Sequence, residues 1–458
     1  MDERVSEAET AMVLNTYMYT DYEFAEDGMS LGTIVKEMPQ HIDVNGVYHP
    51  QYTILKEAVQ NPEIGNLRIS HDPQSMGFNE GTNAAVFTSP DNGRMYVVYR
   101  GTSDGEWMDN GKGLSLDETA QQKQAVDYFD AVMGSMAAGS VSRIVVTGHS
   151  KGANKAQFVT MDSGYSSRID ACYSIDGQGQ SQKAISRWRA SLGEAEYDSR
   201  SQKIYGINGE NDYVSVLGTC IIPASHIFYV RTGADPFDFA AYHDITRMFA
   251  TYERYSDGSS GIVYNGRKNP FVFKRGAVAD YISSVSDELM ELPEDELNGC
   301  AMSAMQIPEI AFGGSKKGLD GTGISLKDIR SFGRSGVPII AGVLSNTGEG
   351  QEFARRVKER SYMGTVFSIS DSMDVSYEAL KGVGDILDDM VGRLKNISEE
   401  LLQSAYRLSF YLDSVLIKEP HIKLCVGGLD SQREILGKRA KILERVAAMC
   451  AEFDKGVM

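Results

Sequence analysis

The sequence predicts a doubly wound, mostly parallel α/β sheet followed by an all-α helical hairpin. Over residues 1–270, short apolar runs alternate with stretches long enough for helices, and over residues 366–458 an apolar stripe recurs every three or four positions. The chain has 458 residues, which is enough for two or three domains with substantial cores. We therefore expect an α/β domain at 1–270, a helical and glycine-rich connector at 271–365, and the hairpin at 366–458.

The predicted strands of the first domain are rich in β-branched and aromatic residues, as buried strands are. The clearest of them are MYVVY at 95–99, RIVVT at 143–147, ACYSI at 171–175, KIYGI at 203–207 and HIFYVR at 226–231. Three of the intervals between them leave room for a helix. Parallel strands need such crossovers, so the spacing predicts βαβ units and a mostly parallel sheet.

The predicted hairpin consists of two long amphipathic helices separated by a break. The first stripe runs from Leu380 to Val415, the chain is broken at Pro420 and at a Gly-Gly pair, and the second stripe runs from Ile435 to Phe453. A stripe held over several heptads is typical of a coiled-coil-like seam. One interpretation that stays open is a bundle that serves only for packing or oligomerisation.

Composition excludes several classes of protein. The net charge of −18 argues against a nucleic-acid-binding role, because phosphate binding needs clustered cations. The five cysteines form no C-x-x-C pair, so neither a disulfide scaffold nor a zinc site is expected. We find no membrane span and no Sec-type signal peptide, which predicts synthesis in the cytoplasm with leaderless export left open.

The strongest motif is G-H-S-K-G at 148–152. It directly follows the strand RIVVT and directly precedes a predicted helix, which is the strand, turn and helix arrangement of a nucleophile elbow. Gly148 and Gly152 are needed because side chains at those positions would collide with the neighbouring strand and helix. Ser150 is therefore the predicted nucleophile, and His149 is expected to pack under the elbow.

A serine nucleophile needs a base, and the base needs a carboxylate to orient it. Asp212 follows the strand KIYGI and so lies at the carboxyl edge of the sheet, where catalytic groups are expected; Glu210 and Asp176 are weaker alternatives. Among seven histidines, His243 returns to this edge after the last strand, whereas His226 begins that strand at the opposite edge. The order Ser150, Asp212, His243 is that of an α/β-hydrolase.

The developing oxyanion needs hydrogen-bond donors. We expect one from the backbone N–H of Lys151, which follows the nucleophile, and one from Thr102 in the loop after MYVVY. The Lys151 side chain is expected in solvent, with contact to an anionic headgroup as the less favoured alternative. The polar segment 104–117 is the best candidate for a small lid, and its polarity favours small or polar-headed substrates.

Taken together, the segments YVVYRGTSDGEW, IVVTGHSKGANKA, INGENDYV and YHD resemble a lipase-like branch of the α/β-hydrolases, the bacterial GHSKG proteins related to the class 3 lipases. The resemblance implies hydrolysis of carboxylic esters of acyl lipids, as in a lipase or phospholipase, with no metal or organic cofactor. It makes Ser150, Asp212 and His243 catalytic, and Thr102 and Lys151 oxyanion donors. The elbow departs from the usual GHSKGG by ending in Gly152-Ala153.

The predicted hairpin resembles the helical targeting modules of type VII secretion substrates, which implies small helical partner proteins and an exported lipase effector. Peripheral contact with a membrane would follow from a lipid substrate. Two alternatives remain open. One is an intracellular esterase or thioesterase that dimerises through the hairpin, and the other is a catalytically idle hydrolase fold that serves as a scaffold.

Overall fold

The structure is a computed structural model. It describes residues 3–351 apart from several short segments and one longer one: 21, 79–81, 103–105, 138, 235–239, 255–259, 313–330, 337–338, 341, 344–346 and 349–350. The predicted hairpin at 366–458 lies outside the described residues, as does much of the glycine-rich part of the predicted connector.

Eleven α-helices are described within these ranges. In chain order they are α1 Glu3–Tyr17, α2 Leu31–His41, α3 His49–Ala58, α4 Pro62–Gly65, α5 Trp107–Lys112, α6 Ala120–Ser135, α7 Lys151–Asp162, α8 Gln182–Leu192, α9 Glu194–Ser201, α10 Ala277–Met290 and α11 Glu294–Phe312. Short 3₁₀ turns include Ala240–His243 and Ile245–Phe249. None of the described helices combines the length and the apolar character that crossing a bilayer requires.

Ten strands are described over the same part of the chain. They are β1 Arg68–Ser70, β2 Ala84–Thr88, β3 Arg94–Tyr99, β4 Arg143–His149, β5 Ala171–Ile175, β6 Ile204–Gly209, β7 Ile227–Val230, β8 Ala250–Arg254, β9 Ser260–Tyr264 and β10 Phe271–Val272. Eight form one sheet in the order β1-β2-β3-β4-β5-β6-β7-β10, and β8 pairs with β9 as a separate hairpin. Strands β3 to β7 run parallel, while β1, β2 and β10 are antiparallel additions at the two edges.

The five central strands correspond to the five strands predicted from sequence, and the predicted α/β fold class is confirmed. The burial of β3 and β5 explains the apolar sequences from which these strands are predicted. Nearly every residue of β3 is buried and every residue of β5 is buried, which gives continuous apolar runs rather than an alternating pattern.

Helices cover both faces of the sheet. Helices α1, α2 and α3 contribute to one buried cluster, while α6, α7, α8 and α9 contribute to another on the opposite face. Helix α7 is the most deeply enclosed, with every residue from 151 to 161 buried. The helix that follows the elbow therefore sits inside the protein, and any charge on it needs a partner.

The strand register aligns the carboxyl ends of the parallel strands at one edge. Tyr99 of β3 pairs with Gly148 of β4, and His149 pairs with Ile175 of β5. Ile175 in turn pairs with Ile207 of β6. The segments that leave these strands therefore begin side by side, which brings together groups that are far apart in the sequence.

Candidate active site

Ser150 lies in a strained turn between β4 and α7. Its backbone has φ 59° and ψ −126°, in the left-handed half of conformational space that non-glycine residues rarely occupy. A Cβ on Gly148 would lie 2.1 Å from the carbonyl of Gly152, and a Cβ on Gly152 would lie 2.0 Å from the Tyr99 carbonyl. Both glycines are thus required by close backbone approach, as the elbow motif predicts.

Ser150, His243 and Asp212 form a continuous hydrogen-bonded chain. The distance from Ser150 Oγ to His243 Nε2 is 2.7 Å, and that from His243 Nδ1 to Asp212 Oδ1 is also 2.7 Å. A carboxylate only accepts hydrogen bonds, so Nδ1 carries the ring proton and the Ser150 hydroxyl donates to Nε2. Asp212 is fully buried, whereas the His243 side chain is 16% exposed. Ser150 is also buried, so His243 is the most exposed member of the chain.

The second oxygen of Asp212 holds its carboxylate in place. The backbone N–H of Ser215 donates to Asp212 Oδ2 over 2.6 Å. The 3₁₀ turn that carries His243 is buried at Ala241 and Tyr242, and the ring of Tyr213 lies 5.6 Å from that of His243. These contacts fix the orientation of the imidazole, which a base in acyl transfer requires.

His149 lies directly beside His243 but belongs to another set of contacts. Its Nδ1 is 2.7 Å from the hydroxyl of Tyr19, and its Nε2 is 3.6 Å from Asp176 Oδ2. Desolvation, followed by the nearby His243, lowers the pKa of His149 well below its usual value. Desolvation and the charge of Asp212 raise the pKa of Asp176 well above its usual range. His149 therefore packs under the elbow, as expected, and is neutral.

The loop after β3 runs immediately beside Ser150. A Cβ on Gly101 would lie 3.3 Å from Ser150 Cβ, 3.0 Å from the His149 carbonyl and 2.2 Å from the Tyr19 hydroxyl. The next residue, Thr102, accepts a hydrogen bond at its hydroxyl from Asn110 Nδ2 over 2.9 Å. Of the two predicted oxyanion donors, Lys151 directly follows Ser150 in the chain, and Thr102 directly follows Gly101, which approaches Ser150.

The Lys151 side chain is neither in solvent nor available to a headgroup, so both alternatives raised from the sequence are wrong. Its side chain has no exposed surface, and Nζ lies 2.8 Å from Asp109 Oδ2. The reason is the position of α7, which is enclosed along its length. The segment 106–117 also departs from the simple picture of an exposed lid, since Asp109 and its α5 neighbours are buried.

The weaker candidates lie away from the nucleophile's base or are otherwise engaged. His226 stacks on Tyr205 with ring centroids 4.4 Å apart and lies 3.2 Å from the Ile204 carbonyl, at the start of β6. His41 stacks on Phe24. Asp176 accepts a hydrogen bond from the backbone of Gly209 rather than from His243.

Three side chains of this region also carry atoms that could bind a metal ion. His149, Asp176 and His243 bring such atoms within 4.8 Å of one another. Both ring nitrogens of His243 are already within hydrogen-bond distance of Ser150 and Asp212. A metal ion bound here would therefore displace a contact of the Ser150–His243–Asp212 chain.

Sequence reasoning did not identify Tyr19, Asp109 or Asn110 as contributors to the site. Tyr19 lies in no motif and reaches the elbow only because α1 packs on the sheet. For Asp109 a signal did exist: Lys151 and Lys155 stand four residues apart on a helix that the elbow places at the centre of the fold. Two buried cations require nearby carboxylates, and Glu106 and Asp109 stand three residues apart, which is also a helical spacing.

The mostly parallel sheet and the strained turn between β4 and α7 define a hydrolase-like α/β fold. A family model described as Mbeg1-like, a lipase-like family, matches residues 58–231, which span β1 to β7. The matched range includes Ser150 and Asp212 and ends before His243. A search of curated proteins finds no match. The fold and the family match together support a lipase-like hydrolase.

Proposed function

We propose that this protein is a serine carboxylic-ester hydrolase of the lipase or phospholipase type, acting on acyl lipids. The observation that carries the proposal is the hydrogen-bonded chain from Asp212 through His243 to Ser150, with both links at 2.7 Å. Ser150, at one end of this chain, lies in a strained strand-to-helix turn. Packing alone does not require a buried carboxylate, an imidazole and a strained serine in series, whereas acyl transfer requires all three.

In the first half of the reaction, Ser150 Oγ attacks the ester carbonyl carbon and passes its proton to His243 Nε2. Asp212 keeps the other ring proton at Nδ1 and stabilises the imidazolium that forms. The tetrahedral oxyanion accepts hydrogen bonds from the Lys151 backbone N–H and from Thr102. Collapse of the intermediate breaks the bond to the alcohol, which leaves with the proton from His243, and the acyl group remains on Ser150.

In the second half, a water molecule attacks the acyl-enzyme and gives its proton to His243. The same donors stabilise the second oxyanion. Collapse returns the proton to Ser150 Oγ and releases the carboxylic acid. None of these steps draws on a group beyond this chain and water.

The direct test compares the wild type with Ser150→Ala on a short-chain p-nitrophenyl ester and on phospholipid vesicles. We expect the wild type to hydrolyse at least one of them and Ser150→Ala to lose roughly 10⁴-fold or more in kcat. The ratio of the two rates distinguishes a lipid-directed enzyme from a soluble esterase or thioesterase. A fluorophosphonate should label wild type and not Ser150→Ala; an unlabelled, inactive wild type would favour the idle scaffold.

Export through a type VII route and binding of small helical partners remain predictions from the sequence of 366–458. They are tested by expressing the full chain with candidate small helical proteins and asking whether they co-purify. A dimer formed without such partners would favour the alternative of an intracellular esterase that dimerises through the hairpin.

A further inference from the structure

The buried ion pair between Lys151 and Asp109 has no part in the proton transfers described above. Lys151 Nζ lies 2.8 Å from Asp109 Oδ2 and also donates to the Asp109 backbone carbonyl over 3.2 Å. The same carboxylate oxygen accepts from Thr119 Oγ1 over 2.8 Å. A Cβ on Gly113 would lie 3.0 Å from Nζ, so the backbone at the end of α5 closes around the ammonium group.

Stability alone is a poor explanation for such a pair. The desolvation of two charges offsets most of their attraction, and apolar residues of similar volume often stabilise a fold equally well. The pair does, however, join two particular helices, α5 and α7. It ties α5 to the residue that immediately follows the nucleophile.

In α5 the residue after Asp109 is Asn110, which contacts two further segments at the carboxyl edge of the sheet. Asn110 Nδ2 donates to Thr102 Oγ1 over 2.9 Å, after β3. The Asn110 carbonyl accepts from Gln178 Nε2 over 2.9 Å, after β5. Together with Lys151 after β4, these contacts make α5 a clasp across the ends of three adjacent strands.

Helix α11 closes the clasp from its other side. A Cβ on Gly111 of α5 would lie 3.0 Å from the Ala301 carbonyl of α11. Ser115 Oγ donates to Asn298 Oδ1 over 2.9 Å. The clasp therefore lies between α7 and α11, and Asn110, which follows the ion-paired Asp109, makes the contact with Thr102.

We infer that the Lys151–Asp109 ion pair is a positioning device that holds Thr102 beside the nucleophile through the α5 clasp. The inference rests on the proposed ester-hydrolase function. Lys151 then contributes twice, with its backbone N–H at the oxyanion and with its side chain through Asp109 and Asn110. Loss of the pair weakens stabilisation of the transition state and leaves binding of the ground-state ester nearly unchanged.

The test measures kcat and KM for Asp109→Asn and Lys151→Met, with active sites counted by fluorophosphonate labelling. Removal of one oxyanion donor costs about 10²–10³ in kcat, so displacement of Thr102 should cost about 10- to 100-fold, with KM changed by less than about threefold. A trifluoromethyl ketone, which forms a tetrahedral adduct with serine, should lose affinity in parallel. A merely structural role would not move these quantities.

The control is Glu7→Gln, which breaks an ion pair at the opposite end of β4, whose Arg143 side chain is 37% exposed where that of Lys151 is fully buried. Arg143 donates to Glu7 over 2.7 and 2.9 Å, the Glu7 side chain is 1% exposed, and Arg143 begins the strand that ends at the elbow. We expect this variant to lose thermal stability as Asp109→Asn does and to keep its kcat per labelled site within about twofold.

Either single variant leaves a charge buried without its partner and risks misfolding, so a neutral pair, Lys151→Met with Asp109→Leu, is measured beside them. It should recover much of the lost thermal stability and keep the lowered kcat. Wild-type kcat per labelled site in the neutral pair, or in both single variants, would overturn the inference and leave the proposed function intact. A wild type that is neither labelled nor active would overturn both.

Discussion

The imidazole rings of His149 and His243 stack with their centroids 4.9 Å apart and their planes at 28°. Two protonated rings at this distance would repel each other, so only one can accept the proton from the nucleophile. His149 is kept neutral by burial, beside a carboxyl group, Asp176, whose pKa is raised. In the proposed mechanism, the positive charge of the transition state therefore falls on His243, beside its partner Asp212.

This arrangement predicts unequal effects of substitution at two buried aspartates, Asp176 and Asp212, which follow the adjacent strands β5 and β6. Asp212→Asn should lower kcat by about 10³- to 10⁴-fold, since an amide stabilises neither the tautomer nor the imidazolium of His243. Asp176→Asn should keep kcat within about threefold, because an amide resembles the neutral acid that the raised pKa favours. Steady-state kinetics of the two variants decide the matter. A loss in Asp176→Asn as large as that in Asp212→Asn would show that Asp176 acts as an ionised group.

A second prediction concerns the narrow space between Gly101 and Tyr19. In Gly101→Ala the new methyl group would meet the Tyr19 hydroxyl at 2.2 Å and the His149 carbonyl at 3.0 Å. We expect the loop after β3, which carries Thr102, to shift. The shift should lower kcat by about 10- to 100-fold and the free energy of unfolding by about 1–3 kcal/mol.

The variant Tyr19→Phe separates the two contacts. It removes the closer of them but leaves His149 Nδ1 without its partner, which should cost about 1–3 kcal/mol by itself. The combination of Gly101→Ala with Tyr19→Phe should therefore be less damaged than the sum of the single variants. Denaturant titration and kcat of the four proteins form a double-mutant cycle, and strict additivity would contradict the proposed clash.

A third prediction concerns pH and the second lysine of α7. Lys155 is 3% exposed, and burial lowers its pKa to about 8, with Glu106 opposing the shift. Above pH 8 the folded protein releases this proton while the unfolded chain retains it up to its ordinary value of 10.5. The unfolded chain then binds more protons, so the Lys155 contribution to stability rises with pH in this window, by at most about 1.4 kcal/mol per unit.

The measurement is the difference in free energy of unfolding between wild type and Lys155→Met at pH 7.5, 8.5 and 9.5. We expect the difference to move in favour of the wild type as pH rises. Lys56→Met, at an exposed position of α3, is the control for the loss of a lysine that is not buried. A flat difference for Lys155→Met would mean that the lysine is charged in the fold throughout.

Much of the fold could be predicted because buried parallel strands leave an unmistakable pattern. The pattern is clearest in β3 and β5, which are buried almost throughout, and the glycines of the elbow stand where close backbone contact demands them. The antiparallel strands β1, β2 and β10 could not be predicted with the same ease. Strands β1 and β10 have only three and two residues, and β10 pairs with β7 across the intervening β8–β9 hairpin.

Some residues of the candidate site could likewise be predicted from the sequence, and others could not. Ser150, Asp212 and His243 could be proposed from sequence because each follows a recognisable strand or turn, and strand topology sends all three to one edge. The supporting groups carry no such signal. Tyr19 reaches His149 across 130 positions of sequence, and Asp109 reaches Lys151 across 42. Only packing decides such pairs.

The sequence by itself determined the central sheet, the elbow and the order of the three groups that meet there, because local periodicity, chirality and close backbone contact act over a few residues. The tertiary structure decided which charges are buried and what pairs with them. The sequence alone predicts Lys151 in solvent, whereas in the structure α7 is enclosed and the Lys151 side chain is buried. The physical reason is that a residue's exposure depends on the elements that cover it and not on the residue itself.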